Sequence, residues 1–284
     1  MPTIEEIKSF WDGTYDWRRA GEEWSDKWGT SYMQWYGTIL PRISAFLPVH
    51  TVLEIAPGFG RWTEFLKDFC TNLIVVDLSE KCIKACQERF TGCSHITYHV
   101  NDGRSLDMIP DNTVDFIFSF DSLVHVEDTI ISAYISQFSR KLKQNGVAFI
   151  HHSNLGEYSN NLKMQLTISR IPKLIGTLTR LGIIDNVRYQ GRAPSMTAKK
   201  MQLYANENGL QCISQELVTW STKRVLIDCI STITKKDSIW FRDNKVFKNV
   251  FFMKEAGNLM NLSHLYGVQT PGTQHSGARQ KETP

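Results

Sequence analysis

The sequence predicts an α/β protein, a doubly wound and largely parallel sheet covered by helices on both faces. Three observations point there. Short continuous apolar runs alternate with stretches of helical period. A glycine turn follows the first apolar run. The composition, 42% hydrophobic and 21% charged, is that of an ordinary globular protein. At 284 residues the chain holds one large domain or two small ones. A disordered chain, a collagen-like repeat and a disulfide-built mini-protein are all excluded.

The elements follow in order. Residues 1–46 form an aromatic helical extension, with Phe10, Trp11, Tyr15, Trp17, Trp24, Trp28, Tyr32, Trp35, Tyr36 and Phe46. It packs on the core, covers a ligand, or does both. The main domain spans 47–235. Its strands are V-L-E-I-A (52–56), L-I-V-V-D (73–77), I-T-Y-H-V (96–100), D-F-I-F-S-F (115–120) and V-A-F-I-H-H (147–152). Helices are expected over 61–70, over 80–90 with Ser79 as N-cap, and over 128–143. An insertion at 153–193 carries an apolar helical stripe interrupted by Pro172. Ser195 is expected to cap a helix over 196–208 closed by Gly209, before a final strand pair at 211–218 and 225–234. A C-terminal helical extension covers 236–268, with its helix over 246–264, and the polar tail 269–284 reads as disordered.

Net charge, 32 − 29 = +3, decides little, but its distribution does. Residues 51–157 carry 9 basic and 14 acidic side chains, whereas residues 163–200 carry 8 basic and 1 acidic. A basic segment beside an acidic core suggests a local anion site rather than a nucleic-acid surface. The 6 cysteines form no C-x-x-C pair or zinc set, and free thiols fit a reducing cytoplasm. The acidic N-terminus is no secretory signal, and no apolar run is long enough to span a membrane. The segment 163–181 is amphipathic and basic, which also suits peripheral membrane contact.

In L-E-I-A-P-G-F-G-R-W-T, Gly58 and Gly60 permit a sharp turn and close approach to a ligand. Such ligands sit at strand carboxyl ends where strand order reverses. A dinucleotide motif needs a third glycine, and that position is Thr63. Asp77 ends the second strand, where a carboxylate accepts from ribose hydroxyls. Asp102, in V-N-D-G, can accept from an adenine amino group.

The ordered set of Glu54, G-x-G, Asp77 and N-D-G resembles the class I S-adenosylmethionine-dependent methyltransferases, over roughly residues 50–235. The departure is Ala56, where that family usually carries glycine. The resemblance implies a Rossmann-like seven-stranded sheet whose last strand, 225–234, is antiparallel. It implies that Asp77 holds the ribose of S-adenosyl-L-methionine, Asp102 the adenine, and the Gly58–Gly60 backbone the methionine part. It also places Glu54, Ala56, Leu78, Asn101, Gly103 and Phe120 at the cofactor, which leaves as S-adenosyl-L-homocysteine.

Methyl transfer needs an aligned nucleophile and, for hydroxyl or ammonium acceptors, a base. F-D-S-L-V-H-V supplies Asp121 and His125 just beyond the fourth strand, similar to methyltransferases acting on phosphoethanolamine and amino sugars. His152 is the second base candidate; strand alternation sends His151 to the opposite face. Tyr15, Tyr32 and Tyr36 are candidates to close the site. In the insertion, Arg170 and Arg192, with Lys173, Arg180 and Arg188, can read a phosphate or carboxylate. No oxygen cage for a metal is evident. These stretches resemble methyltransferases of bacterial surface-polysaccharide and glycosylation pathways. O-methylation of a sugar-containing, possibly phosphorylated acceptor is therefore the first expectation. N-methylation of a small amine, such as an amino sugar or phosphoethanolamine, is the second. An NAD-dependent oxidoreductase and a catalytically silent binding subunit are the alternatives of other classes. No base-flipping signature points to a nucleic-acid substrate.

Overall fold

A computed structural model of the chain describes residues 3–167, 176–178, 180–181, 191–220 and 225–266. In chain order the main elements are α1 (Ile4–Ser9), α2 (Ser31–Gln34), α3 (Leu40–Ile43), β1 (Val49–Ile55), α4 (Thr63–Leu66), β2 (Cys70–Asp77), α5 (Glu80–Arg89), β3 (Ile96–Val100), β4 (Val114–Ser119), α6 (Asp128–Lys141), β5 (Leu142–Ser153), α7 (Ser159–Thr167), α8 (Ala198–Glu207), β6 (Leu210–Val218), β7 (Asp228–Lys235), β8 (Lys245–Asn249) and α9 (Phe252–Tyr266). The predicted tail, 269–284, lies outside the described residues, as do Arg170, Lys173 and Arg188 and most of 163–181 beyond Thr167.

The strands form one sheet in the order β3-β2-β1-β4-β5-β7-β6-β8. β1 to β5 run parallel, and β7 lies antiparallel between β5 and β6. The antiparallel strand is thus as expected, but the sheet has eight strands rather than seven. The eighth is β8, which pairs parallel with β6 where a helix over 246–264 was expected. Asn249 explains the late helix start. Its amide donates to Glu216 and Glu255 at 2.7 and 2.8 Å, and its carbonyl oxygen accepts from the Phe251 N–H at 3.0 Å. This breaks the V-F-K-N-V-F-F run into a strand and a helix. Two other boundaries differ. The expected 61–70 helix is one short α-turn followed by a 3-10 turn, Lys67–Phe69. Thr197, not Ser195, caps α8; the Ser195 hydroxyl instead accepts from the Asp128 N–H and donates to Glu127.

Period-two alternation sorts the strand side chains onto two faces. Leu53, Ile55, Ile74, Val76, Ile117 and Ala148 meet α6 and α8 on one side. Val52, Leu73, Val75, Phe116, Phe118 and Phe149 face Trp28, Trp35, Ile39 and Ile43 from the N-terminal segment, with Phe252 of α9. The aromatic extension is therefore partly core. Between α1 and β1 it is a chain of short helical turns rather than one helix. Arg42 anchors it, with two 2.7 Å bonds to Glu216 on β6 and one of 3.2 Å to Glu255 on α9. All six cysteines are free.

Strand order reverses at β1, with β2 on one side and β4 on the other. The glycine turn leaves the sheet there. Gly60 has φ +81°, and a Cβ on it would lie 2.6 Å from Phe90 Cε2. Gly60→Ala combines a left-handed alanine with a core overlap and is expected to cost about 2 kcal/mol or more. Denaturant unfolding measures this; an unchanged midpoint would show that the turn relaxes freely.

Candidate active site

The site is built on the sheet edge where β1, β2, β4 and β5 end. After Ile55, the Ala56 N–H closes on Val76 O at 2.8 Å, and the chain turns through left-handed conformations at Ala56, Gly58 and Gly60. Ala56 thus adopts φ +57°, a conformation that glycine reaches without strain. Gly58 is required for a second reason: a Cβ there would meet Trp17 at 2.8 Å. Trp17 lies flat on Phe59, with ring centroids 4.3 Å apart.

Two carboxylates underlie this turn. Glu54 is fully buried and accepts from the Thr63 hydroxyl at 2.6 Å, while its other oxygen has no partner among the described residues. Thr63 occupies the dinucleotide motif's third glycine position and is used as a donor. Burial pushes the Glu54 carboxyl up to about 8. Asp77 closes β2 and accepts from the Ser79 and Gly58 N–H groups at 2.8 and 3.3 Å. Burial outweighs these bonds, and the nearby Asp12 adds to it, raising Asp77 to about 7. Ser79 caps α5 as expected, accepting from Cys82 N–H, and its own hydroxyl donates to Asp12. Asn101 shapes the next loop, bonding Ser105 O, Tyr134 Oη and Gly103 N–H.

A cavity lies over these groups. Its walls include Ala56, Gly58, Asp77, Leu78, Gly103 and Phe120, with Ile4, Ile7, Trp11, Trp17 and Trp24 closing it from the N-terminal side. Of the predicted cofactor residues, Glu54 and Asn101 act from behind this wall. Asp102 does not reach it. It is exposed, and one carboxylate oxygen is held by the Arg104 and Ser105 N–H groups of its own turn.

The cavity shares Ile7, Trp11, Trp24, Asp121 and His125 with a wider cleft of about 810 Å³. That cleft adds Tyr15, Glu23, Lys27, Arg192 and Trp220. Tyr15 donates its hydroxyl to one oxygen of Glu23; the other Glu23 oxygen is buried with no hydrogen-bond partner among the described residues. Tyr32 and Tyr36 stand outside both spaces, exposed and packed on each other and on Phe65.

Asp121 and His125 both reach the junction, but they do not pair. Asp121 takes Arg61 Nη2 at 2.6 Å and faces His151 Nδ1 at 3.3 Å. His125 Nδ1 lies 2.8 Å from Gly191 O. A carbonyl only accepts, so Nδ1 carries the hydrogen and Nε2 keeps its lone pair. Burial lowers the His125 pKa; the Gly191 bond opposes this and the Arg192 charge adds to it. The ring is therefore neutral at pH 7.

His152 is excluded as the base. Alternation places it on the other face, fully buried, with Nε2 2.8 Å from Ser231 Oγ and Nδ1 2.9 Å from Ser153 O. Burial pulls it down to about 4. The member of the pair on the site side is His151. Its signal was parity: Phe118 and Phe149 are register partners facing the N-terminal segment, and 151 continues that face. Arg61 and Asp228 were also missed, because nothing local marks them. Arg192 reaches the cleft, 2.9 Å from Asp228, with its guanidinium over the Trp220 ring. Arg180 is exposed. Among the described residues, no group of three or more His, Cys, Asp or Glu side chains can hold a metal ion, and no helix is long and apolar enough to cross a membrane.

Comparison with known proteins places this geometry. Residues 52–146 match the family model of a methyltransferase domain. Phosphoethanolamine N-methyltransferase 1 of Triticum aestivum is 33% identical over 119 residues, 40% of this chain and 24% of that protein. Phosphoethanolamine N-methyltransferase 2 of Caenorhabditis elegans is 25% identical over 217 residues, 72% of this chain and 48% of that protein. The chain thus spans half or less of the length of these relatives. Among solved structures, the magnesium protoporphyrin IX methyltransferase of Synechocystis with bound SAH superposes with a TM-score of 0.53 at 16% identity, covering 82% of this chain and 100% of that one. The PH0226 protein of Pyrococcus horikoshii gives 0.53 at 20% identity, covering 79% and 100%. The fold is the α/β methyltransferase fold, and residues 52–146 are similar to a methyltransferase domain.

Asp77 binds its proton more tightly when folded, at about 7, than in the unfolded chain at 3.8. Its contribution to stability is therefore full below pH 4 and is lost as pH rises through 7. Asp77→Asn is expected to flatten the fall in Tm between about pH 4 and pH 7 in thermal denaturation. An unaltered slope would show that Asp77 ionises unhindered.

Proposed function

We propose that this chain is an S-adenosylmethionine-dependent methyltransferase acting on the nitrogen of a small amine that also carries an anionic group, of the phosphoethanolamine type. The observation that carries the amine is Glu23. Glu23 lines a cleft walled by Trp11, Tyr15, Trp24 and Trp220, and one of its buried oxygens has no partner among the described residues. Carboxylate and aromatic faces together suit an ammonium group.

The cofactor reading is supported by fit. Asp77 is a desolvated carboxylate with only backbone donors, and a ribose diol supplies two more. Gly58 presents its backbone to the cavity, whereas Gly60 faces Phe90 in the core and serves the turn. Leu78, Gly103 and Ile4 form an apolar slot for adenine; Asp102, turned outward, is not part of it. The cofactor supplies an activated methyl group on sulfur. The protein then aligns acceptor and methyl at the junction of the two spaces. Glu23 and the aromatic walls draw the ammonium in. His125 Nε2 takes the proton that frees the nitrogen lone pair. Arg192 and Lys27 face the anionic end.

This reading replaces sugar O-methylation as the first choice. A histidine base would serve either chemistry, but the cleft's carboxylate favours a cation and the curated relatives described above are phosphoethanolamine N-methyltransferases. The cytoplasmic location remains an expectation.

Release of S-adenosylhomocysteine is expected with phosphoethanolamine or a related small amine and not with neutral sugars; the reverse would restore the O-methylation reading. His125→Ala is expected to lower kcat by about 10²–10⁴-fold, with S-adenosylhomocysteine affinity unchanged by calorimetry. The acid limb of the rate profile should lie below the ordinary imidazole range and vanish in the variant. Glu23→Gln should raise the acceptor KM roughly tenfold or more, as one charge-assisted bond is worth about 1.5–3 kcal/mol. A wild-type KM in Glu23→Gln would remove the amine from this position.

A further inference from the structure

Behind the junction, five charged or ionisable side chains form a line through the fold. Arg61, from the end of the glycine turn, reaches Asp121 at 2.6 Å. The other Asp121 oxygen lies 3.3 Å from His151 Nδ1 on β5. His151 Nε2 lies 3.3 Å from Asp228 at the start of β7, and Asp228 takes Arg192 at 2.9 Å. His151 and Asp228 are fully buried, and Arg61 is 3% exposed. The imidazole packs beside Phe120 and Trp220, at 4.5 and 6.1 Å between ring centroids.

We propose that His151 is a positioning residue: it holds the Asp121 carboxylate in the wall shared by the two spaces and ties it, through Asp228, to Arg192 in the acceptor cleft. The assignment rests on the cleft being the acceptor site.

Asp121 needs such a tie. Its backbone has φ +68°, a left-handed conformation that is strained for a non-glycine residue. The conformation persists only where surroundings hold it. Arg61 holds one carboxylate oxygen, itself fixed by Ser25 Oγ at 2.9 Å and by the Trp62 and Trp24 rings. His151 faces the other. Two carboxylates flank one imidazole, so an imidazolium can donate to both and bridge them. Burial opposes that charge, but the two carboxylates facing the ring at 3.3 Å more than offset it, and the His151 pKa is raised; Nε2 has no hydrogen-bond partner among the described residues. Other charged or titratable groups near it are Arg61 and Arg192, paired with the same two carboxylates, the neutral His152 on its own strand and Glu216 on β6, which is paired with Arg42. A neutral ring with its hydrogen on Nε2 has a different role open to it: the Asp121 N–H lies 3.2 Å from Nδ1 and would donate to a bare nitrogen. An Nδ1 that carries hydrogen holds the carboxylate and a bare Nδ1 does not; only the charged ring donates to both carboxylates.

Nitrogen-15 spectra of the histidine-labelled wild-type chain decide between them without any acceptor. With His151→Gln used to assign the signals, both ring nitrogens of His151 are expected at protonated shifts near about pH 6.5, where a free imidazole is half deprotonated. A bare Nδ1 at that pH would overturn the proposal. In turnover, His151→Gln is expected to lower kcat by up to about 10²-fold through a displaced carboxylate and to raise acceptor KM, with S-adenosylhomocysteine affinity and Tm near wild type. Wild-type kcat and KM in that variant would equally overturn it. Absence of turnover with every amine would count against the acceptor reading alone, and the spectra would still decide the state of His151.

Discussion

Charge burial at one sheet edge is the constraint on which this structure turns. Glu54, Asp77, Asp121 and Asp228 all lie there, and desolvation pushes each toward its neutral form. The fold answers in two ways. Asp121 and Asp228 receive guanidinium and imidazole partners that hold their carboxyls below the usual range. Glu54 and Asp77 receive only hydroxyl or backbone donors and stay raised. The edge is thereby divided. Beneath the cavity lie carboxylates that gain from added donors; beside the cleft lie carboxylates already fixed by cations. A cofactor with a diol and an acceptor needing rigid alignment call for those two conditions respectively.

The N-terminal segment depends on the same edge. Trp28 and Trp35 are fully buried against the sheet, so the segment is held by core packing. That attachment lets Trp11, Trp17 and Trp24 lie over the glycine turn and its carboxylates. Asp12 bonding to Ser79, and Lys81 bonding to Asp12 O at 3.0 Å, stitch the cover to the start of α5. Removing water from this edge is what raises Asp77. The covering role and the packing role are therefore one arrangement, with different tryptophans serving each.

Much of this was legible in the sequence, for a physical reason in each case. Strands β1, β2, β4 and β5 are buried on both faces over most of their length and therefore read as apolar runs, while the edge strand β3 buries only Ile96. The glycine turn, Asp77 and the Ser79 cap are local features whose geometry depends on few neighbours. The illegible parts depend on contacts between distant segments. β8 was hidden because Val246 and Phe247 are exposed on an edge strand, and only Asn249, bonded to Glu216 33 residues away, separates strand from helix. Ser195 and Thr197 are equally good caps in sequence; Glu127 and Asp128 draw Ser195 away. Tyr15 could not be told from Tyr32 or Tyr36 without the path of the extension. Arg61 sits inside the glycine motif, yet its partner is 60 positions on.

The three histidines of the edge show why residue type alone does not assign chemistry. His125 faces a carbonyl and lies near a guanidinium, so burial leaves it neutral with one free lone pair. His152 is one residue from the site but turned away, neutral and bonded to Ser231 and Ser153. His151 lies between two carboxylates that favour its charge. A neutral ring with a free nitrogen accepts a proton; a charged ring between carboxylates does not, and serves instead to fix them. The spacing D-x-x-x-H suggested that Asp121 orients His125. The fold divides that work differently: Gly191 O sets the tautomer of His125, while Arg61 and His151 hold Asp121. His125 and the carboxylate beside it are thus positioned independently, and each keeps the protonation state its surroundings impose.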